Sequence, residues 1–308
     1  MNVASAKDIS IGPFSLNDEN AFSVWAEQKL ANYPLSAESL AIAIADPENL
    51  TQIEISQLRE CLQKTNMVVY RLQQSEPMTK KQLRLLGQQL GLTRLDPNML
   101  ADEDGVTSLE VVPGKSVRGY IPYTNKRLQW HTDGYYNTDE RRIRAFILHC
   151  IRPARLGGEN CLLDPEIVYL YMRRENPEYI QAFMADNAMT IPANTESGSE
   201  TRAVQTGPVF AVMADGSLHM RYTARTRSIE WAQDSTTQAA CDWLQDFLAS
   251  DIPYICKYKL AANEGVITNN ALHTRTEFEQ DEQQQHSRLL FRARYYDSVR
   301  LESKSEGN

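Results

Sequence analysis

His131 and Asp133 are separated by one residue, within Gln129-Trp130-His131-Thr132-Asp133-Gly134, and this pair constrains the chain more than any other feature. On an extended strand, residues two apart point to the same side, so both side chains can reach one ion. A third ligand has a natural source far downstream in His273, within Asn269-Asn270-Ala271-Leu272-His273-Thr274-Arg275. To meet the first two, His273 must return on another strand folded alongside them. Two imidazoles and one carboxylate on one side of a metal, with the opposite side open, form the ligand set that suits Fe(II) in non-haem oxygenases. A lone His-x-Asp arises often by chance and equally describes an exposed polar pair. The reading therefore needs a second signal.

That signal begins fifteen residues after His273, in Arg288-Leu289-Leu290-Phe291-Arg292-Ala293-Arg294-Tyr295-Tyr296. In a strand, Arg288, Arg292 and Arg294 share one side, while Leu289, Phe291 and Ala293 share the other. Three cations on one side of an apolar strand call for solvent or an anion opposite. A guanidinium is matched to a carboxylate by its planar two-point fork. A carboxylate-tailed co-substrate anchored beside a metal satisfies the pattern; an amphipathic strand with a solvated basic face is the alternative.

The order His-x-Asp, long gap, His, then Arg resembles the iron(II)/2-oxoglutarate-dependent oxygenases, and most closely the taurine dioxygenase-like family. The resemblance covers most of the chain. It starts at the strand pattern over 66–72 and the helical Leu spacing over 78–91. It then passes through His131-Thr132-Asp133, Gly157-Gly158-Glu159-Asn160 and Leu272-His273-Thr274-Arg275-Thr276-Glu277-Phe278, and ends in the Arg288 strand. It implies a β-rich α+β fold, with a double-stranded β-helix (jelly-roll) core and flanking helices. It implies Fe(II) on His131, Asp133 and His273, and O2 and 2-oxoglutarate as co-substrates. Arg288 is implied to bind the distal carboxylate of 2-oxoglutarate, with a weaker role for Arg292 towards substrate. Relatives carry Thr or Ser where this chain has Asn160, whose amide can still donate to that carboxylate. A fainter resemblance to the glutarate 2-hydroxylase branch rests on His219-Met220-Arg221-Tyr222-Thr223-Ala224-Arg225, and places Arg221 or Arg225 near the pocket. The implied reaction oxidises substrate, hydroxylation being the default, with release of succinate and CO2. A cupin-like oxygenase, isomerase or hydrolase using the same triad without 2-oxoglutarate would have no need of Arg288.

Composition narrows the setting. The chain has 308 residues, 42% of them hydrophobic, enough for a sizeable core. No stretch approaches the roughly 18 apolar residues of a membrane span, and the N-terminus lacks the charged start and apolar run of a secretory signal. Five cysteines without Cys-x-x-Cys spacing read as idle thiols in a reducing cytoplasm. With 32 basic and 40 acidic residues the net charge is −8, which disfavours nucleic acid as a partner. A small anionic or zwitterionic molecule remains a suitable substrate, because local arginines set the field of a pocket. Homo-oligomerisation stays open.

The pattern along the chain predicts a helical lead-in over 1–65, with helices at 19–32, 36–46 and 53–64, a catalytic domain over 66–300, and a polar tail over 301–308. Asp164-Pro165 opens a further helix as N-cap and first-turn proline, and 235–249 forms another. The loop-rich 102–128 leads into the His-x-Asp strand and is placed to rim the pocket. Tyr123, Tyr135, Arg118, Lys126, Arg127, Arg221 and Arg292 are the expected substrate-facing residues. Of the other histidines, His149 in an apolar strand reads as core, and His219 and His286 as surface.

Overall fold

The runs Met67–Leu72 and Ala145–Arg152 are apolar on both sides of their strands, the mark of strands covered on both faces. Both lie inside a six-stranded sheet. In a computed structural model, which describes residues 12–97, 105–111, 124–196, 199–225, 229–279 and 287–301, its order is Ala41–Ile44, Met67–Leu72, Glu264–Thr268, Ala145–Arg152, Leu289–Tyr295, Thr107–Glu110. Only the first pair is parallel; the other four pairings are antiparallel. A four-stranded sheet has the order Cys256–Tyr258, Asn160–Leu163, Leu272–Arg275, Leu128–His131.

Among the described residues the chain divides into two compact units. One draws on 34–128, 143–162 and 256 onward; the other draws on the chain up to 33, 129–142 and 163–255. In the first unit, the helices Gln52–Thr65 and Lys80–Gln89 bury Leu58, Leu62, Leu83 and Leu86 in one cluster with Tyr70, Ile147, Ala293 and Tyr295 of the large sheet. Its other face contributes Val69, Phe146, Cys150 and Leu290 to a second cluster, with Leu162 and Cys256 of the smaller sheet and Ala271 just before its strand Leu272–Arg275. Each such buried aliphatic side chain contributes roughly 1.5–3 kcal/mol.

The second unit holds the helices Glu19–Leu30, Pro165–Glu175, Pro177–Phe183 and Ser235–Ala249. Asp164 caps Pro165–Glu175 by accepting from Glu166 N at 2.9 Å. Its carboxylate also pairs with the buried Lys29 at 2.7 Å, which joins the first helix to the second. A hairpin of Phe210–Val212 and Leu218–Met220 and a three-stranded sheet complete this unit.

The predicted helices near 19–32, 53–64 and 235–249 are present as Glu19–Leu30, Gln52–Thr65 and Ser235–Ala249. The helix predicted over 36–46 is not: a short 3-10 turn, Glu38–Leu40, runs into the strand Ala41–Ile44. There Leu40, Ile42 and Ile44 alternate with alanines, so period two wins over alanine's helix propensity once Met67–Leu72 offers a pairing edge. Residues 41–44 thus belong to the same sheet as 67–72, and the expected division at 65/66 does not follow the packing. No described helix is long and apolar enough to cross a membrane.

Candidate metal and co-substrate site

His131 ends its strand, and the turn that follows, with Gly134 at φ +69°, carries Asp133. Thr132 locks this turn: its N–H donates to Tyr222 O at 2.9 Å, and its hydroxyl accepts from Tyr222 N at 3.1 Å. His131 Nδ1 lies 2.9 Å from Gln129 O, two residues back on its own strand, and His273 Nδ1 lies 3.0 Å from Ala271 O in the same relation. A carbonyl can only accept, so each Nδ1 carries a proton, which leaves Nε2 as the nitrogen through which either ring could ligate a metal. The ring of His273 also packs against Phe146, with centroids 4.8 Å apart. His131 and Asp133 are buried and His273 half-buried. Two imidazoles and a carboxylate are the donor types that suit one divalent ion.

Arg288 directly precedes the last strand and is buried, 7% exposed. With Cys150, Gly158, Asn160, Leu260 and Leu290 it lines a small cavity. Burial pushes its guanidinium down to about 10, and among the described residues no carboxylate forms an ion pair with it. Gly158 lines this cavity at φ +74°, and Gly157 before it has φ +70°. A Cβ on Gly157 would sit 2.1 Å from Glu277 O, and one on Gly158 would sit 3.5 Å from Arg288 Nε. The structure thus brings together both residues expected at the co-substrate, Arg288 and Asn160.

Sequence reasoning missed a third member of this region. Arg275 is 5% exposed, and burial first, then the charge of Arg288, pushes it down to about 9. Its only signal in the sequence is its place two residues after His273, on the same side of the strand.

The expected substrate residues separate. Arg292 is half-buried, on the Arg288 side of its strand. Arg294, counted with them on the sequence, is taken by Asp96 in a buried ion pair that also accepts from Tyr296 Oη at 2.6 Å. Tyr135 is hydrogen-bonded to Thr223 and Arg225, and burial pushes its phenol up. Arg221 is a correction. Its guanidinium donates to the carbonyls of Gln205, Pro208, Gly207 and Met189, which makes it a clip between strands and not a group turned to substrate. Lys126 and Arg127 are exposed. Tyr123 and Arg118 lie outside the described residues, as does His286. His149 is core, as expected, with Nδ1 3.0 Å from Tyr70 Oη.

Residues 27–294 match the family described as taurine catabolism dioxygenase TauD, TfdA family. A uridine-5'-phosphate dioxygenase from Streptomyces sp is 30% identical over 206 residues, covering 64% of this chain and 72% of that protein. A solved taurine dioxygenase from Burkholderia xenovorans superposes with a TM-score of 0.54 at 17% identity, over 83% of this chain and 87% of the other. An asparagine oxygenase solved with Fe(II), hydroxyasparagine and succinate gives 0.54 at 17% identity, over 90% and 91%. At that identity these two structures speak for the fold alone. With the family match spanning nearly the whole described chain, the protein belongs to the TauD/TfdA family and is an Fe(II)- and 2-oxoglutarate-dependent dioxygenase acting on a small molecule.

Proposed function

We propose that His131, Asp133 and His273 hold the Fe(II), that Arg288 and Asn160 take the distal carboxylate of 2-oxoglutarate, and that the prime substrate is a small anionic or zwitterionic molecule. The observation that carries this reading is that His131 and His273 each hold Nδ1 against a carbonyl two residues back in the chain, at 2.9 and 3.0 Å, the support that orients a metal-binding imidazole. Held there, Fe(II) would activate O2, the oxidant, with 2-oxoglutarate as the co-reductant that leaves as succinate and CO2, and the substrate would by default be hydroxylated. The chain supplies the rest. The carbonyls of Gln129 and Ala271 hold each imidazole in the tautomer and orientation a ligand needs. Arg288 offers a fork that fixes the far end of the keto acid and with it the presentation of the near end. The positive-φ glycines let the Glu277–Phe278 backbone approach the glycine turn beside Arg288 closely.

The anionic class is supported by half-buried Arg292 on the Arg288 side of its strand and by the curated relative, whose name gives uridine 5'-phosphate as its substrate. We place the enzyme in the cytoplasm, working on a small molecule and not on nucleic acid or a membrane. The two sheets are the halves of a double-stranded β-helix, or jelly roll. The decisive experiment is anaerobic Fe(II) titration of His131→Ala, Asp133→Ala and His273→Ala beside the wild type. Outer contacts of metal ligands alone are worth about 10–100-fold in affinity, so loss of a ligand itself should exceed that and abolish succinate release. Normal iron binding and turnover in any of the three would overturn the assignment.

A further inference from the structure

Arg275 and Arg288 converge on one aromatic ring. The guanidinium carbon of Arg275 lies 4.8 Å from the centroid of Phe278, and that of Arg288 lies 5.0 Å from the same centroid. Both arginines are buried, and among the described residues neither forms an ion pair with a carboxylate. Arg275 instead donates to the carbonyls of Thr124, at 2.9 Å, and Lys126. Carbonyl dipoles hold a guanidinium in place without cancelling its charge. Two like charges kept out of water at one site are costly unless an anion arrives to offset them.

The segment after Arg275 is also hydrogen-bonded to the glycine turn that lines the Arg288 cavity. Thr276 N donates to Glu159 O at 2.9 Å, Glu159 N donates to the Thr276 hydroxyl at 3.0 Å, and Gly158 N donates to Glu277 O at 3.1 Å. Phe278 N donates to Asn125 O at 3.1 Å, between the two carbonyls that Arg275 binds. Arg275, Phe278 and the glycine turn are therefore one connected piece of backbone around Arg288.

Building on the reading of the Arg288 cavity as the 2-oxoglutarate site, we propose that Arg275 is a positioning residue for the co-substrate. Acting through the Phe278 ring, it holds the Arg288 guanidinium in place and adds a second positive charge behind it. The cavity is thereby set for a carboxylate and against a neutral group of the same size.

Glutarate, which has both carboxylates and no keto group, probes the cavity without iron. It is titrated into metal-free protein by ligand-observed NMR, alongside KM and kcat for 2-oxoglutarate in the iron-loaded enzyme. Removing one charge near an anion should weaken glutarate about tenfold in Arg275→Gln, raise KM to match, and leave kcat within about twofold. Arg275→Lys restores the charge and should return to within about threefold of wild type. Phe278→Leu keeps both charges but removes the shared ring, and should weaken glutarate about threefold; it decides the matter if Arg275→Gln does not fold. A merely structural clamp would instead lower the unfolding midpoint with glutarate affinity unchanged. Wild-type affinity in Arg275→Gln, or a lysine variant as weak as the glutamine one, overturns the proposal. Arg288→Gln separates the two levels: if it binds glutarate normally, the reading of the cavity itself fails. If it alone loses glutarate, only the role of Arg275 fails.

Discussion

At His149 the imidazole is fully buried, stacked on Tyr70 at an interplanar angle of 10° and hydrogen-bonded to its hydroxyl through Nδ1. Burial disfavours the imidazolium and pushes the group from 6.5 down to about 4. The unfolded chain takes up this proton near pH 6.5 and the folded one only near pH 4. Stability from this site is therefore complete above pH 6.5 and is lost as pH falls towards 4, by about 3 kcal/mol in all. Urea unfolding of wild type and His149→Phe between pH 7 and 4.5 tests this. The variant gives up the Tyr70 bond, at about 1–3 kcal/mol, and should show the shallower loss on acidification. Equal slopes would show that other groups carry the acid sensitivity. The apolar strand around His149 made its core role legible in the sequence. Arg221 had no such context: four carbonyls from distant positions claim its guanidinium, and only the folded chain brings them to it.

Elements whose ends carry their own chemistry were the easiest to read. Asp164-Pro165 announces a helix start, and Asp164 does cap it. What the sequence did not show is that the same carboxylate is also claimed by Lys29, whose ammonium lies 2.7 Å from Asp164 and 2.5 Å from Glu166. Burial opposes the charge on Lys29, but these two carboxylates outweigh it and raise its pKa. Lys29→Ala leaves Asp164 buried and uncompensated, and should destabilise the fold by about 3–5 kcal/mol in chemical denaturation. A loss below about 1 kcal/mol would mean that water replaces the ammonium. The strand Ala41–Ile44 was misread because its four residues, half of them alanine, acquire strand character only from their partner. The glycine turn was legible as a motif, while its reason is the backbone of Glu277. Gly157→Ala drives a Cβ into that carbonyl at a positive φ, so it should weaken 2-oxoglutarate binding while iron binding is kept. Unchanged co-substrate affinity in a folded Gly157→Ala protein would remove the turn from the site.

Across the whole chain, the meeting of His273 with His131 and Asp133 could not be derived from spacing, since nothing in 142 intervening residue steps fixes the return path. It was expected because the order of motifs resembles a known family, and the match over residues 27–294 bears that family out. Charge shows the same gap between sum and arrangement. The net charge of −8 would repel an anion only weakly, because exposed charges beyond about 8 Å are screened at physiological ionic strength. A guanidinium about 4 Å from a bound anion is worth up to about 4 kcal/mol at an effective dielectric of 20. Arginines proposed to face substrate should therefore decide substrate class against the sign of the whole protein. Arg292→Gln should raise the KM of an anionic substrate about tenfold or more while the 2-oxoglutarate titration stays near wild type. Arg118→Gln should do the same if the 102–128 segment rims the pocket. Substrate-triggered succinate release in each variant, over a panel of nucleoside phosphates, amino acids and small carboxylic acids, is the measurement. Unchanged substrate affinity in both, with normal co-substrate binding, would sink the anionic reading and turn the search to neutral or macromolecular substrates.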